Sequence, residues 1–78
     1  MTVEQGKSYL VEVKGEIFCK GVNAKKYRIK IGEHYGSEVA HFYNPRGSKR
    51  LVTHYLDQLM FMDSECPNNN GTIILKEL

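Results

Sequence analysis

Residues 48–63 read SKRLVTHYLDQLMFMD. At about 100° per residue, Leu51, Val52, Tyr55, Leu56, Leu59, Met60 and Met62 fall within one half of a helical circumference. Arg50, Thr53, His54, Asp57 and Gln58 fall within the other half. That spacing predicts an amphipathic helix. Ser48 is its expected N-cap, because a serine hydroxyl accepts a bond from an orphan N–H of the first turn. Asn44, Pro45, Arg46 and Gly47 make a strong breaker ahead of it, and Pro67 forbids its continuation beyond the polar loop 63–71. Phe61 is the one apolar residue on the polar half. The expectation is that the helix frays near Met60 and lets Phe61 turn inward.

Such a helix needs an apolar surface to lie on, and the flanking sequence reads as strands. From Ser8 the residues alternate, with Tyr9, Val11 and Val13 on one side and Leu10, Glu12 and Lys14 on the other. Gly15 marks a bulge or turn, and Ile17, Phe18 and Cys19 resume an apolar strand. Residues 20–25 read as a turn. Lys26 to Ile31 is the cleanest strand, with Tyr27, Ile29 and Ile31 on one face and Lys26, Arg28 and Lys30 on the other. Residues 32–36 read as a second turn. Residues 37–43 form the next strand, with both faces mixed. Ile73, Ile74 and Leu75 near the end suggest a strand inside the sheet and not at its edge.

The predicted fold is therefore a single small α+β domain over residues 1–78. A mainly antiparallel sheet of about five strands, in the order β-β-β-β-α-β, carries one amphipathic helix on one face. A small β-barrel is the alternative, and it would require residues 51–62 to be strand. A chain of 78 residues buries only about 60% of the surface its unfolded form exposes, so modest stability is expected. No apolar run approaches the roughly 18 residues of a membrane span. Glu4 and Glu12 stand where a signal peptide would be basic and apolar, so a cytoplasmic location is expected. Cys19 and Cys66 are then expected as free thiols.

The net charge of +2 is unevenly spread. Residues 14–50 hold nine basic residues, namely Lys14, Lys20, Lys25, Lys26, Arg28, Lys30, Arg46, Lys49 and Arg50, against Glu16, Glu33 and Glu38. The two ends are mildly acidic. A basic centre of this kind points to an anionic partner.

Catalytic and metal chemistry find little support. Cys19, His34, His41, His54 and Cys66 lack the short paired spacings of a zinc site. His54 and Asp57 would be helix neighbours, but no nucleophile motif accompanies them. The glycines are isolated turn glycines and form no phosphate-cradling loop. No enzyme activity, no metal and no cofactor is expected.

Binding is the remaining class. The expected surface comprises Lys25, Lys26, Arg28, Lys30, Arg46, Lys49, Arg50 and His54, with His34, Tyr35, His41 and Tyr43 near enough to stack on bases. The layout of residues 26–60 is similar to that of double-stranded RNA-binding domains, and to the three-stranded DNA-binding domains of some phage integrases. That likeness is one of layout and assigns no residue a role. The expected function is a non-enzymatic binding protein engaging nucleic acid or a nucleic-acid-handling complex. The alternative is a small inhibitor or adaptor, of the kind phages and mobile elements encode, that blocks a protein partner directly. An open sheet edge would also offer a route to a homodimer.

Overall fold

Residues 50–55 form a strand, not the first turns of a helix. In the computed structural model, which describes residues 3–14, 25–59, 61–62 and 71–78, the elements are β1 (Ser8–Lys14), β2 (Lys25–His34), β3 (Ser37–Tyr43), β4 (Arg50–Tyr55), a 3-10 turn (Leu56–Gln58), β5 (Phe61–Met62) and β6 (Gly71–Glu77). They make one sheet in the order β4-β3-β2-β1-β6-β5. Every pairing is antiparallel except the short β5–β6 contact. No α-helix occurs among the described residues. The α+β expectation is therefore wrong, and with it the layout shared with the RNA- and DNA-binding domains.

The reason lies in a stretch whose helical spacing is overridden by the sheet edge beside it. Val52, His54 and Leu56 are half-buried, whereas Leu51, Thr53 and Tyr55 are exposed. That alternation of burial is imposed by the pleat, since it exposes Leu51 and Tyr55 and covers His54. Val, Thr and Tyr pack well on a pleated surface. A short helix gains little by itself, whereas residues 50–55 satisfy the open edge of β3, pairing Val39 with Tyr55, His41 with Thr53 and Phe42 with Val52. Helix-like geometry survives only as the single 3-10 turn, where the Leu59 N–H donates to the Leu56 carbonyl at 3.1 Å. Phe61 does turn inward and packs against the core, but from β5 and not from a frayed helix.

β4 and β5 lie at opposite edges, yet only residues 56–60 join them. A flat six-stranded sheet would separate its edges by roughly 24 Å. Six extended Cα steps reach at most about 22 Å, and a 3-10 turn shortens them further. The sheet must therefore curl, and its concave side is the core. Tyr9, Val11, Val13, Ile29, Ile31, Ala40 and Phe42 line that side, and Leu59 is delivered onto it by the crossing segment. Register shifts at Leu10/Val11 and Phe42/Tyr43 assist, since bulges bend a strand and increase its twist.

The β2–β3 hairpin is tighter than the glycines suggest. Its turn is Tyr35 and Gly36, with φ of 51° and 79°, the two-residue geometry whose twist suits a hairpin. Gly32 belongs to β2 and pairs with Val39, and a Cβ there would meet His41 Nε2 at 3.0 Å. β6 lies between β1 and β5, inside the sheet as its apolar run suggests. The expected strand at 17–19 and both cysteines lie outside the described residues, as do the turn over 20–25 and the loop over 63–71 except for their last residues, Lys25 and Gly71, which open β2 and β6.

Thr72 Oγ1 is fully buried with no hydrogen-bond partner among the described residues. A buried hydroxyl without a partner costs about 1–3 kcal/mol. Thr72→Val, which keeps the shape, is expected to raise stability by about 1 kcal/mol. A urea titration checks this, and a loss of stability would mean that the hydroxyl is bonded.

Candidate nucleic-acid interface

The face away from the core carries the charge. Alternation along β2 turns Ile29 and Ile31 inward and Lys26, Arg28 and Lys30 outward. Lys26 and Lys30 are exposed and Arg28 is half-buried. The register then assembles rows across the sheet. Lys76, Leu10, Arg28, Tyr43 and Arg50 occupy successive positions on β6, β1, β2, β3 and β4. Ser8, Lys30, His41 and Thr53 make the next row. Tyr43 thus sits between Arg28 and Arg50, and Lys76 extends the cationic row to the far side.

The loop over 44–49 is held by one side chain. Asn44 Oδ1 accepts from the Ser48 and Lys49 N–H groups at 2.8 and 3.2 Å, and its Nδ2 donates to Ser48 Oγ at 2.9 Å. Ser48 is therefore not a helix cap. The Gly47 N–H donates to the Asn44 carbonyl at 2.8 Å, with Gly47 at φ 75°. A Cβ at Gly47 would come within 3.3 Å of Arg28 Cδ, so the loop lies directly against the arginine stem. Arg28 Nε donates to the Pro45 carbonyl at 2.6 Å. That bond orients the guanidinium, and neither terminal nitrogen has a hydrogen bond among the described residues. Arg46, Lys49 and Arg50 are exposed on and beside this loop.

None of Lys26, Arg28, Lys30, Arg46, Lys49, Arg50 or Lys76 forms an ion pair with a carboxylate among the described residues. The ion pairs there belong to Lys7, with Glu4 at 2.7 Å and Glu77 at 3.0 Å. Glu12 stands opposite Lys26 in the register, so the Lys26 end of the patch is the least positive. A groove of about 430 Å³ opens beside the Arg28 row, lined by Ser8, Arg28, Ile29, Lys30, Tyr43, Gly47 and Leu78.

Two expected members stand apart. Lys25 opens β2 opposite Val13 in the register, and its side chain lies outside the described residues. His54 lies on the core side, its ring edge-on to Phe42 at 5.9 Å, and its buried Nε2 finds no partner among the described residues. It makes no bond with Asp57, and its place is structural. His34 and Tyr35 meet edge to face at the hairpin tip, with ring centroids 4.2 Å apart. His41 and Tyr43 are on the basic face. Lys76 was missed because the sequence around it is acidic, and only the β1–β6 register brings it beside Leu10.

Burial holds the His54 imidazole below the usual histidine range. Burial, then Arg50, His34 and Lys30, do the same for His41, whose Nδ1 is hydrogen-bonded to Thr53 Oγ1 at 2.8 Å. Both groups are therefore protonated more readily in the unfolded chain. Their contribution to stability is fully present above pH 6.5, the ordinary histidine value, and is lost as pH falls below it. The melting temperature is expected to be flat from pH 8 to 7 and to fall between pH 6.5 and 5. His54→Leu should flatten that fall, and a profile unchanged by the substitution would exclude His54 as a source.

No helix among the described residues is long and apolar enough to cross a membrane, and no three His, Cys, Asp or Glu residues come together as metal ligands there. Comparison with protein-family models, curated proteins and solved structures finds no match to this chain.

Proposed function

We propose that the protein is a non-enzymatic nucleic-acid-binding domain, working in the cytoplasm, that lays an anionic strand across the outer face of its sheet. The observation that carries this reading is the set of cations, without carboxylate partners among the described residues, gathered on one face and its adjoining loop. Lys26, Arg28, Lys30, Arg46, Lys49 and Arg50 would contact phosphates, with Lys76 at the rim. Folded domains usually intersperse both signs of charge on a surface, so a one-sided arrangement supports a polyanionic partner. The rigid loop over 44–49 supports it further, since a held cation loses less freedom on binding.

The test is binding of fluorescein-labelled oligonucleotides, followed by anisotropy as salt is raised. Affinity for a single strand is expected to fall steeply between 50 and 200 mM salt. Absence of binding to single- and double-stranded DNA and RNA at 50 mM salt would overturn the proposal.

A second reading rests on the β4 edge. Leu51 is 40% and Tyr55 37% exposed on that open strand. An edge with exposed apolar side chains is suited to pairing with another strand. This supports the alternative of a small inhibitor or adaptor acting on a protein partner, or a homodimer joined edge to edge.

A further inference from the structure

We infer that the groove beside Arg28, Lys30 and Tyr43 is a nucleotide seat that selects single strands over duplexes: the Tyr43 ring stacks on an unpaired base while Arg28 and Lys30 hold its phosphate. The inference rests on the nucleic-acid reading above and adds a mode of recognition to it.

Three observations carry it. The groove, at about 430 Å³, falls within the roughly 300–1,000 Å³ typical of sites for compact ligands. Tyr43 is half-buried beside it and makes no aromatic contact among the described residues, whereas Tyr27, Tyr35 and Tyr55 each face another ring. The third is Arg28. Its Nε bond to the Pro45 carbonyl orients the guanidinium, and the two terminal nitrogens remain as four N–H donors for phosphate oxygens. Lys30, two residues along the same face of β2, adds a point charge. A ring, an oriented arginine and a lysine in one groove match the parts of one nucleotide.

Strand selectivity follows from geometry. A tyrosine ring reaches the face of a base only when the base is out of a duplex stack. Phosphate contacts alone would bind both forms.

The experiment compares a 12-nucleotide oligothymidine with a hairpin duplex of equal phosphate count, for wild type and Tyr43→Leu, at 50 mM salt. The wild type is expected to prefer the single strand. Tyr43→Leu should weaken single-strand binding by about 5- to 150-fold, the span of base–aromatic stacking, and leave duplex binding within about twofold. Tyr43→Phe, which keeps the ring, should bind as wild type. In a second measurement, oligothymidine carrying 5-iodouracil is photo-crosslinked to the wild-type protein, so the result does not depend on how a variant folds. The crosslink is expected at Tyr43. Equal wild-type affinity for both nucleic acids, no effect of Tyr43→Leu, or a crosslink mapping elsewhere overturns the seat and leaves the basic-face reading standing. No binding of either nucleic acid by the wild type overturns both.

Discussion

Phe42→Ala is expected to leave the domain only marginally stable at 25 °C. Phe42 is completely buried at the centre of the concave face. It stands between Ile29 on β2 and Val52 on β4. Its ring meets Tyr27 edge-on at 6.3 Å and His54 at 5.9 Å. Truncating a buried phenylalanine removes its transfer energy and leaves a cavity, a combined loss of about 3–5 kcal/mol. Small domains sit at the lower end of the 5–15 kcal/mol range, at about 5 kcal/mol. The two magnitudes nearly cancel, so little stability would remain. Because about 1 kcal/mol shifts the midpoint of such a domain by roughly 4–8 °C, a melt by circular dichroism should show a drop of at least about 12 °C. A variant melting within a few degrees of wild type would remove Phe42 from the core, and with it the pairing of β3 between β2 and β4.

Replacing Arg28, Lys30 and Arg50 together by glutamine is expected to halve the salt dependence of single-strand binding. Each phosphate neutralised on a single strand contributes about 0.7 to the slope of log affinity against log salt. Six contacts give a slope near 4, which is a loss of about 300-fold between 50 and 200 mM salt. Three contacts give a slope near 2 and a loss of roughly 20-fold. The three side chains are half-buried or exposed and lie outside the core cluster, so the variant should fold as wild type. A slope unchanged by the triple substitution would show that these residues do not meet phosphate, whatever the affinity. Anisotropy titrations at four salt concentrations suffice.

Where a segment had one period and one environment, alternation was enough. Tyr27, Ile29 and Ile31 against Lys26, Arg28 and Lys30 separated the core face from the charged face before any pairing was known. The basic patch was legible for the same reason, since charge on a strand's polar side has nowhere to go but outward. The apolar run at Ile73, Ile74 and Leu75 likewise indicated an interior strand, as β6 is.

Details of the site needed the register. Centring the β2–β3 turn on residues 35 and 36, not on the glycine-rich span 32–36, is what sets Arg28 opposite Tyr43 and Lys30 opposite His41. Gly32 misled because glycine serves two purposes. Here it makes room for the His41 ring from the neighbouring strand and does not bend the chain. His54 was read as a surface group because a helix would have turned it outward, whereas a strand turns it onto Phe42.

Residues 48–63 mark the boundary between the two kinds of knowledge. Their composition established that one side is apolar and must be covered, and that holds only in part: Val52, Leu56 and Leu59 pack on the core, joined by Phe61 from the expected polar half, whereas Leu51 and Tyr55 stay exposed. Their secondary structure was not a local property. The apolar spacing of residues 51–56 is helical and not alternating, and what overrides it is the unpaired edge of β3, a partner contributed by residues 37–43. Hydrogen bonds to that edge, together with the need to carry the chain across a curled sheet to β5, outweigh the weak helical preference of a short segment.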